Sequence, residues 1–403
     1  MACILKLPAG GGRGVLSFTT QEEKSIRSSP ALTEALRGLK SKYVVGLHYN
    51  WHNHDCKPDD LFDIHFAGEE DLKITNGKRI NQIPLDACNF TKREFDASAN
   101  EKFWDLLFVA RAVYFKGIPD FLRSIREIYD TGRMIRVLFL CPMPPFDKRD
   151  LATAMYDLRK EYERTFTFEE QAYFNLLIIR DRYPFFFDRP SLAHFYKSAK
   201  IFVHTAPDER RCRVAAYAWC CGMPVVGKAA IGSILSPELR RAPNFFEVPE
   251  NGSFTGPILK ALAAAGTVPV EPLQRELSEK YTLGALETRL RDHFAERGIG
   301  YAGSLLGENL DIRMGRHHGN GEGTNSVDMS LEAFMEKAAG LSEPDDANLA
   351  AMPDPEAYLI GAKKARPVYV DRSFMTQHAK SFQYKLQNKL RRILKRVIGL
   401  GKT

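Results

Sequence analysis

The chain has 403 residues, of which 44% are apolar and 11% aromatic, and its net charge is +7. That composition excludes a disordered chain, and the length suffices for two domains and a tail. No apolar run approaches the roughly 18 residues that span a bilayer, MACILKLPAGGG is too short in apolar core for a signal peptide, and seven cysteines without regular spacing point to a reducing, cytoplasmic compartment.

In chain order, the glycine-rich stretch Ala9 to Gly14 reads either as a phosphate or acceptor loop or as a flexible start. A helical pattern follows at Ser29 to Leu39 and a strand at Tyr43 to Leu47. His48, His52, His54 and Cys56 carry zinc-ligand chemistry, but their spacing matches no common zinc signature, so no metal is expected. A strand at Leu61 to Phe66, a helix-like Glu69 to Lys73 and a strand-like Ile80 to Leu85 complete this part.

From residue 101 the pattern sharpens. The apolar run Leu106 to Val109 stops at Arg111, and Lys116 with Gly117 stands just before FLRSIREIY, whose apolar spacing is helical. This reads as a buried parallel strand delivering two cations to a strand-to-helix turn. Such cations suit a diphosphate, because guanidinium and ammonium stabilise anionic oxygens better than neutral donors do. Further strands are expected at Arg136 to Cys141, Phe174 to Ile179, Ile201 to His204, Pro224 to Gly227 and Phe245 to Val248. Helices are expected between them, at Leu151 to Phe166, Ser191 to Ser198 and Ser253 to Ala265. The alternation predicts an α/β fold with a parallel sheet covered on both faces. No G-x-G-x-x-G follows any of these strands, so no nicotinamide or flavin cofactor is expected.

After Leu290 the alternation fades. Arg316 to Gly323, with His317 and His318, reads as a surface loop and Glu343 to Pro355 as a solvated linker. Between Met375 and Thr403 there are eight Lys or Arg and no acid, so the excess charge belongs to this end and not to the body. There Phe382, Leu386, Leu390, Ile393 and Val397 recur at helical spacing with the cations on the other face. The leading reading is an amphipathic helix at an anionic membrane surface; docking on the protein's own surface stays open, and a nucleic-acid partner is not expected.

Two stretches together carry a family resemblance. Phe108-Val109-Ala110-Arg111 to Lys116-Gly117 is similar to a strand and turn of the form F-V-G-R-x-x-x-x-K-G, and Glu209 followed by Ala218-Trp219-Cys220-Cys221-Gly222-Met223-Pro224-Val225-Val226 is similar to E-x7-E with A-x-A-x-G-x-P-V-V. In order and spacing, over roughly residues 75 to 290, the chain resembles the retaining glycosyltransferases of family 4, which have the GT-B architecture of two facing Rossmann-like domains. The resemblance implies an abbreviated N-terminal acceptor-side domain at 1–100 and a nucleotide-sugar domain at 101–300; the faded alternation and the amphipathic spacing leave a tail at 301–403 with its helix at about 380–400. The resemblance also implies metal-independent, hexosyltransferase-like transfer from a nucleotide sugar, as co-substrate, to a glycan or lipid-linked acceptor, with retention; the membrane surface comes from the amphipathic pattern. Arg111 and Lys116 would stabilise the leaving diphosphate, Glu209 would contact the donor sugar, and His48 would face the cleft from the N-terminal domain. The loop Arg180 to Phe187 would lie beside the nucleotide base, although its phenylalanines read equally as core. Tyr217 stands where the family has the glutamate that grips the ribose, and Arg210 and Arg211 stand where it has glycine, so they would share phosphate binding. Tyr217 and the short N-terminal half also admit an alternative: a non-catalytic, membrane-associated binding protein with a degenerate glycosyltransferase fold.

Overall fold

The structure, a computed structural model, describes residues 2–49, 54–56, 59–67, 72–74, 82–85, 91–97, 101–143, 149–180, 189–209, 211–305 and 330–341. His52, Arg210, the aromatic loop at 181–187, His317, His318 and the amphipathic pattern at 382–400 lie outside them, and of His54 and Cys56 only the backbone is described.

The first sheet has the order β1(Cys3–Lys6), β2(Gly14–Thr19), β3(Tyr43–His48), β5(Ile64–Ala67), β7(Gln82–Pro84). Only the β1–β2 pair is antiparallel. Every residue of β2 and β3 is buried, as expected of strands covered on both faces. Two helices follow β2: α1(Thr20–Ser28), closed by a capping box between Thr19 and Glu22, and α2(Pro30–Leu39), whose N-cap Ser29 accepts from the Leu32 N–H. β4(His54–Cys56) and β6(Leu72–Ile74) form a separate parallel pair. Leu72 and Lys73 are therefore strand where helix was expected, strand pairing overriding their local preference. Of the Ala9 to Gly14 stretch, Ala9 to Arg13 lie in the connection between β1 and β2 and Gly14 opens β2: Ala9 pairs with Gly12, and a Cβ at Gly12 would collide with the Gly300 carbonyl, so packing demands the glycine.

The second sheet takes shape in chain order from β8(Trp104–Val109), α3(Ile118–Asp130), β9(Val137–Met143), α4(Arg149–Thr165), the short α5(Phe168–Gln171), β10(Phe174–Arg180), α6(Arg189–Lys197), β11(Ala199–His204), α7(Arg213–Cys220), β12(Val225–Gly227), α8(Pro237–Arg241) and β13(Phe245–Glu247). Its six strands are all parallel, in the order β10-β9-β8-β11-β12-β13. Counted from β8 this is 3-2-1-4-5-6, the doubly wound Rossmann order, whose direction reverses between β8 and β11. Alternate side chains of β8 go to opposite faces. Leu106 and Phe108 meet Phe121, Phe139 and Ile258, with Phe121 from α3 and Ile258 from α9(Thr255–Ala264). Leu107 and Val109 meet Phe202 and Trp219 in the other layer, which α10(Val270–Leu277) completes with Leu273.

The chain then returns to the first sheet. Leu286, Leu290 and Phe294 of α11(Glu279–Glu296) pack with Leu5, Val15, Val44 and Phe66, while Phe334 and Met335 of α12(Leu331–Gly340) pack with Phe18 and Leu36. The two crossings between the sheets are tied to each other: Thr91 donates to the Leu277 carbonyl (2.9 Å) and accepts from the Glu279 N–H (3.1 Å), and Lys92 pairs with Glu279. Among the described residues no helix is long and apolar enough to cross a membrane. Leu290 is fully buried, so Leu290→Ala should cost about 2–5 kcal/mol in urea unfolding; an unchanged midpoint would show that α11 does not cover the sheet.

Candidate active site

The site sits where the sheet order reverses. The turn after β8 carries Arg111 and Lys116, while β11 ends at His204 and the turn after it carries Thr205 and Glu209. Because β8 and β11 are hydrogen-bonded neighbours, residues 93 positions apart in sequence meet. In doubly wound sheets this crevice, beyond the carboxyl ends of the strands, is where ligands bind.

Two contacts lock the turns. Thr205 Oγ1 donates to the Lys116 carbonyl (2.6 Å), and Gly117, at φ +64, brings its backbone so close that a Cβ there would collide with the Thr205 carbonyl oxygen. Gly117 is also the N-cap of α3, so the left-handed residue that lets the turns touch also aims the start of that helix.

Lys116 is only 8% exposed, and its ammonium is paired with Glu209 Oε2. The same oxygen accepts from His204 Nε2 at 2.6 Å, while the His204 ring is fully buried and stacked on Phe202. A carboxylate can only accept, so Nε2 carries the proton; Nδ1 has no hydrogen-bond partner among the described residues. Burial alone would raise the Glu209 carboxyl, but the His204 hydrogen bond and the Lys116 charge outweigh it and hold the group at about 2. For His204 burial wins over the acid, so its pKa lies below the ordinary histidine value.

The other expected site residues are distributed around this trio. Arg111 is half-buried in the same turn as Lys116, and among the described residues no hydrogen bond or ion pair joins its side chain to Lys116 or Glu209. Arg211 lies at φ +52, a strained setting for a residue with a side chain, and its guanidinium donates to the Tyr49 carbonyl at 2.8 Å. It thereby holds the turn after β11 against the end of β3, where buried His48 meets the Leu85 carbonyl through Nε2 (3.2 Å). Tyr217 lies on α7 with its ring stacked on Phe95, centroids 4.0 Å apart. His204 escaped the sequence reading; the available signal was a titratable residue closing an apolar parallel strand five positions before Glu209.

His204, Glu209 and Cys212 offer donor atoms all within 4.8 Å of one another, the types a divalent cation takes. The arrangement does not favour an ion: Lys116 already supplies the positive charge at Glu209, and burial pushes the Cys212 thiol well above its ordinary range despite its place at the start of α7.

No family model matches the chain, and no curated protein does. Among solved structures it is similar to trehalose-6-phosphate synthase OtsA (12% identity, 66% of this chain and 70% of that one, TM-score 0.45). It is similar also to sucrose-phosphate synthase from Thermosynechococcus elongatus (16%, 66% and 70%, 0.44). A third is a GtfA/B complex (14% identity, TM-score 0.44), where 66% of this chain matches and it spans only 55% of that chain. Likeness at this level leaves function to the side chains of the site itself.

Gly117→Ala should lower stability by about 2 kcal/mol, through the left-handed φ and the collision with Thr205; an unchanged urea midpoint would mean the turns are not locked there. The buried histidines His65, His204 and His293 all lie below the ordinary value, burial being the first cause. Below about pH 6.5 the unfolded chain binds protons that the folded chain refuses, so stability should fall as pH drops from 7.5 to 5.5. Glu209 titrates in a lower window: its contribution is complete above about pH 4.5 and lost as pH falls toward 2. Urea midpoints at pH 7.5 and 5.5 check the histidine effect, and His204→Phe should flatten part of the slope; a wild-type midpoint that does not move contradicts it.

Proposed function

We propose that this chain is a glycosyltransferase of GT-B architecture that moves a sugar from a nucleotide sugar to a glycan or lipid-linked acceptor with retention of configuration. The observation that carries this reading is the convergence of Lys116, Glu209 and His204 where the doubly wound sheet reverses, at the start of α3. A buried ammonium held by a carboxylate, beside a helix N-terminus, has the chemistry to exchange that partner for a diphosphate.

In the reaction the bond between the anomeric carbon and the diphosphate oxygen breaks, and its electron pair leaves with the diphosphate. The acceptor hydroxyl bonds to the anomeric carbon on the same face, and its proton passes to the departing phosphate oxygen. Catalysis then consists of stabilising the leaving charge and holding the two reactants in place. Lys116, with Arg111 from the same turn, takes the diphosphate; Glu209 accepts from donor-sugar hydroxyls. No step requires a metal. Arg211, fixed to the end of β3, supports the turn that carries Glu209, and the family resemblance assigns the acceptor side to His48. The acceptor class rests on the family resemblance, and the membrane surface on the sequence pattern at 382–400.

A second reading, a binding protein without turnover, is favoured by Tyr217, whose ring lies on Phe95 and offers one hydroxyl in place of a carboxylate. A panel of nucleotide sugars assayed for nucleoside diphosphate release separates the two. The glycosyltransferase reading expects release from at least one donor and a loss of roughly 10²–10³-fold in Lys116→Ala with its circular dichroism unchanged. Binding of nucleoside diphosphate without release from any donor would establish the second reading.

A further inference from the structure

One carboxylate oxygen, Glu209 Oε2, serves two donors of different character. Lys116 Nζ is a point charge on a flexible stem, in a turn that opens the crevice. His204 Nε2–H belongs to a ring that is fully buried at the end of β11 and stacked on Phe202, so it cannot follow a ligand. A diphosphate entering at the start of α3 brings charge that competes for the ammonium. Once Lys116 turns to it, Glu209 faces a new anion with one of its two partners gone. The remaining partner is the imidazole.

The imidazole has no other use for its polarity. Nδ1 is buried without a hydrogen-bond partner among the described residues, a cost that an apolar residue closing the strand would not incur. The single bond that justifies a histidine here is the one to Glu209. We infer that His204 is a positioning residue that holds the Glu209 carboxylate in place while a diphosphate draws Lys116 away from it. This rests on the reading of the site as a nucleotide-sugar site. It assigns to His204 no contact with substrate; its effect reaches the reaction through Glu209.

The test uses the full chain as wild type, His204→Phe, which removes the donor but keeps the ring, and His204→Gln, whose side-chain amide restores an N–H near the position of Nε2. The readouts are kcat and KM for a donor that turns over, and the affinity for inorganic pyrophosphate by calorimetry. His204→Phe should lose about 10- to 100-fold in kcat, with KM and pyrophosphate Kd within about threefold of wild type, and His204→Gln should regain most of the loss. An unchanged kcat in His204→Phe overturns the inference. So does a parallel loss of turnover and pyrophosphate affinity without rescue by glutamine, which marks a purely structural role. If the wild type releases nucleoside diphosphate from no donor, the glycosyltransferase reading fails and the inference is decided by nitrogen-15 NMR of the histidines. Retention of the hydrogen-bonded Nε2–H resonance of His204 on addition of pyrophosphate supports it; loss of that resonance, or no binding of pyrophosphate, overturns it.

Discussion

A buried ammonium has to be neutralised, and most of what distinguishes this structure follows from how Lys116 meets that requirement. With 8% of its surface exposed it loses most of its hydration, a cost of several kcal/mol unless a partner is supplied. The partner, Glu209, comes from a different strand and in turn needs His204. An ion pair of this kind does little for stability, since desolvation consumes most of what the charges gain. Its presence at a sheet reversal makes better sense as a pre-set charge that a diphosphate can take over.

The fold prepares that charge through backbone economy. β8 and β11 are adjacent and parallel, so both present their carboxyl ends to one crevice. Gly117 permits the turns to approach within contact, Thr205 ties them together, and α3 begins at the same point. On the first sheet, β3 ends at the same turn, with Arg211 spanning to the Tyr49 carbonyl at the expense of a left-handed backbone. The bond and the strain fall on one residue, where the contact between the sheets offsets the cost of the conformation.

The sequence made part of this legible, for reasons that can be stated. Lys116 was readable because an apolar run ending in cations just before helical spacing has few other meanings, and Glu209 because it leads a helix into another buried strand. The second sheet was readable because its strands, buried on both faces, are nearly continuous apolar runs. His204 was not, because its significance depends on strand order, and nothing local says that β11 lies beside β8. The first sheet was harder for a similar reason. β1 is four residues long before a glycine turn, so it gives too little pattern to tell from a flexible start; its partners lie downstream, and residues beyond 278 complete its cover. At Leu72 and Lys73 a helix-like composition yielded to pairing with β4, the usual outcome when tertiary context opposes a weak local preference.

The central claim is that the positive charge of Lys116 is held in reserve for a diphosphate. Diffraction from crystals soaked in a nucleoside diphosphate addresses it most directly. The account predicts a phosphate oxygen roughly 3 Å from Lys116 Nζ at the start of α3, with the contact between Lys116 and Glu209 opened. A diphosphate seated elsewhere, with that pair still closed, would contradict it.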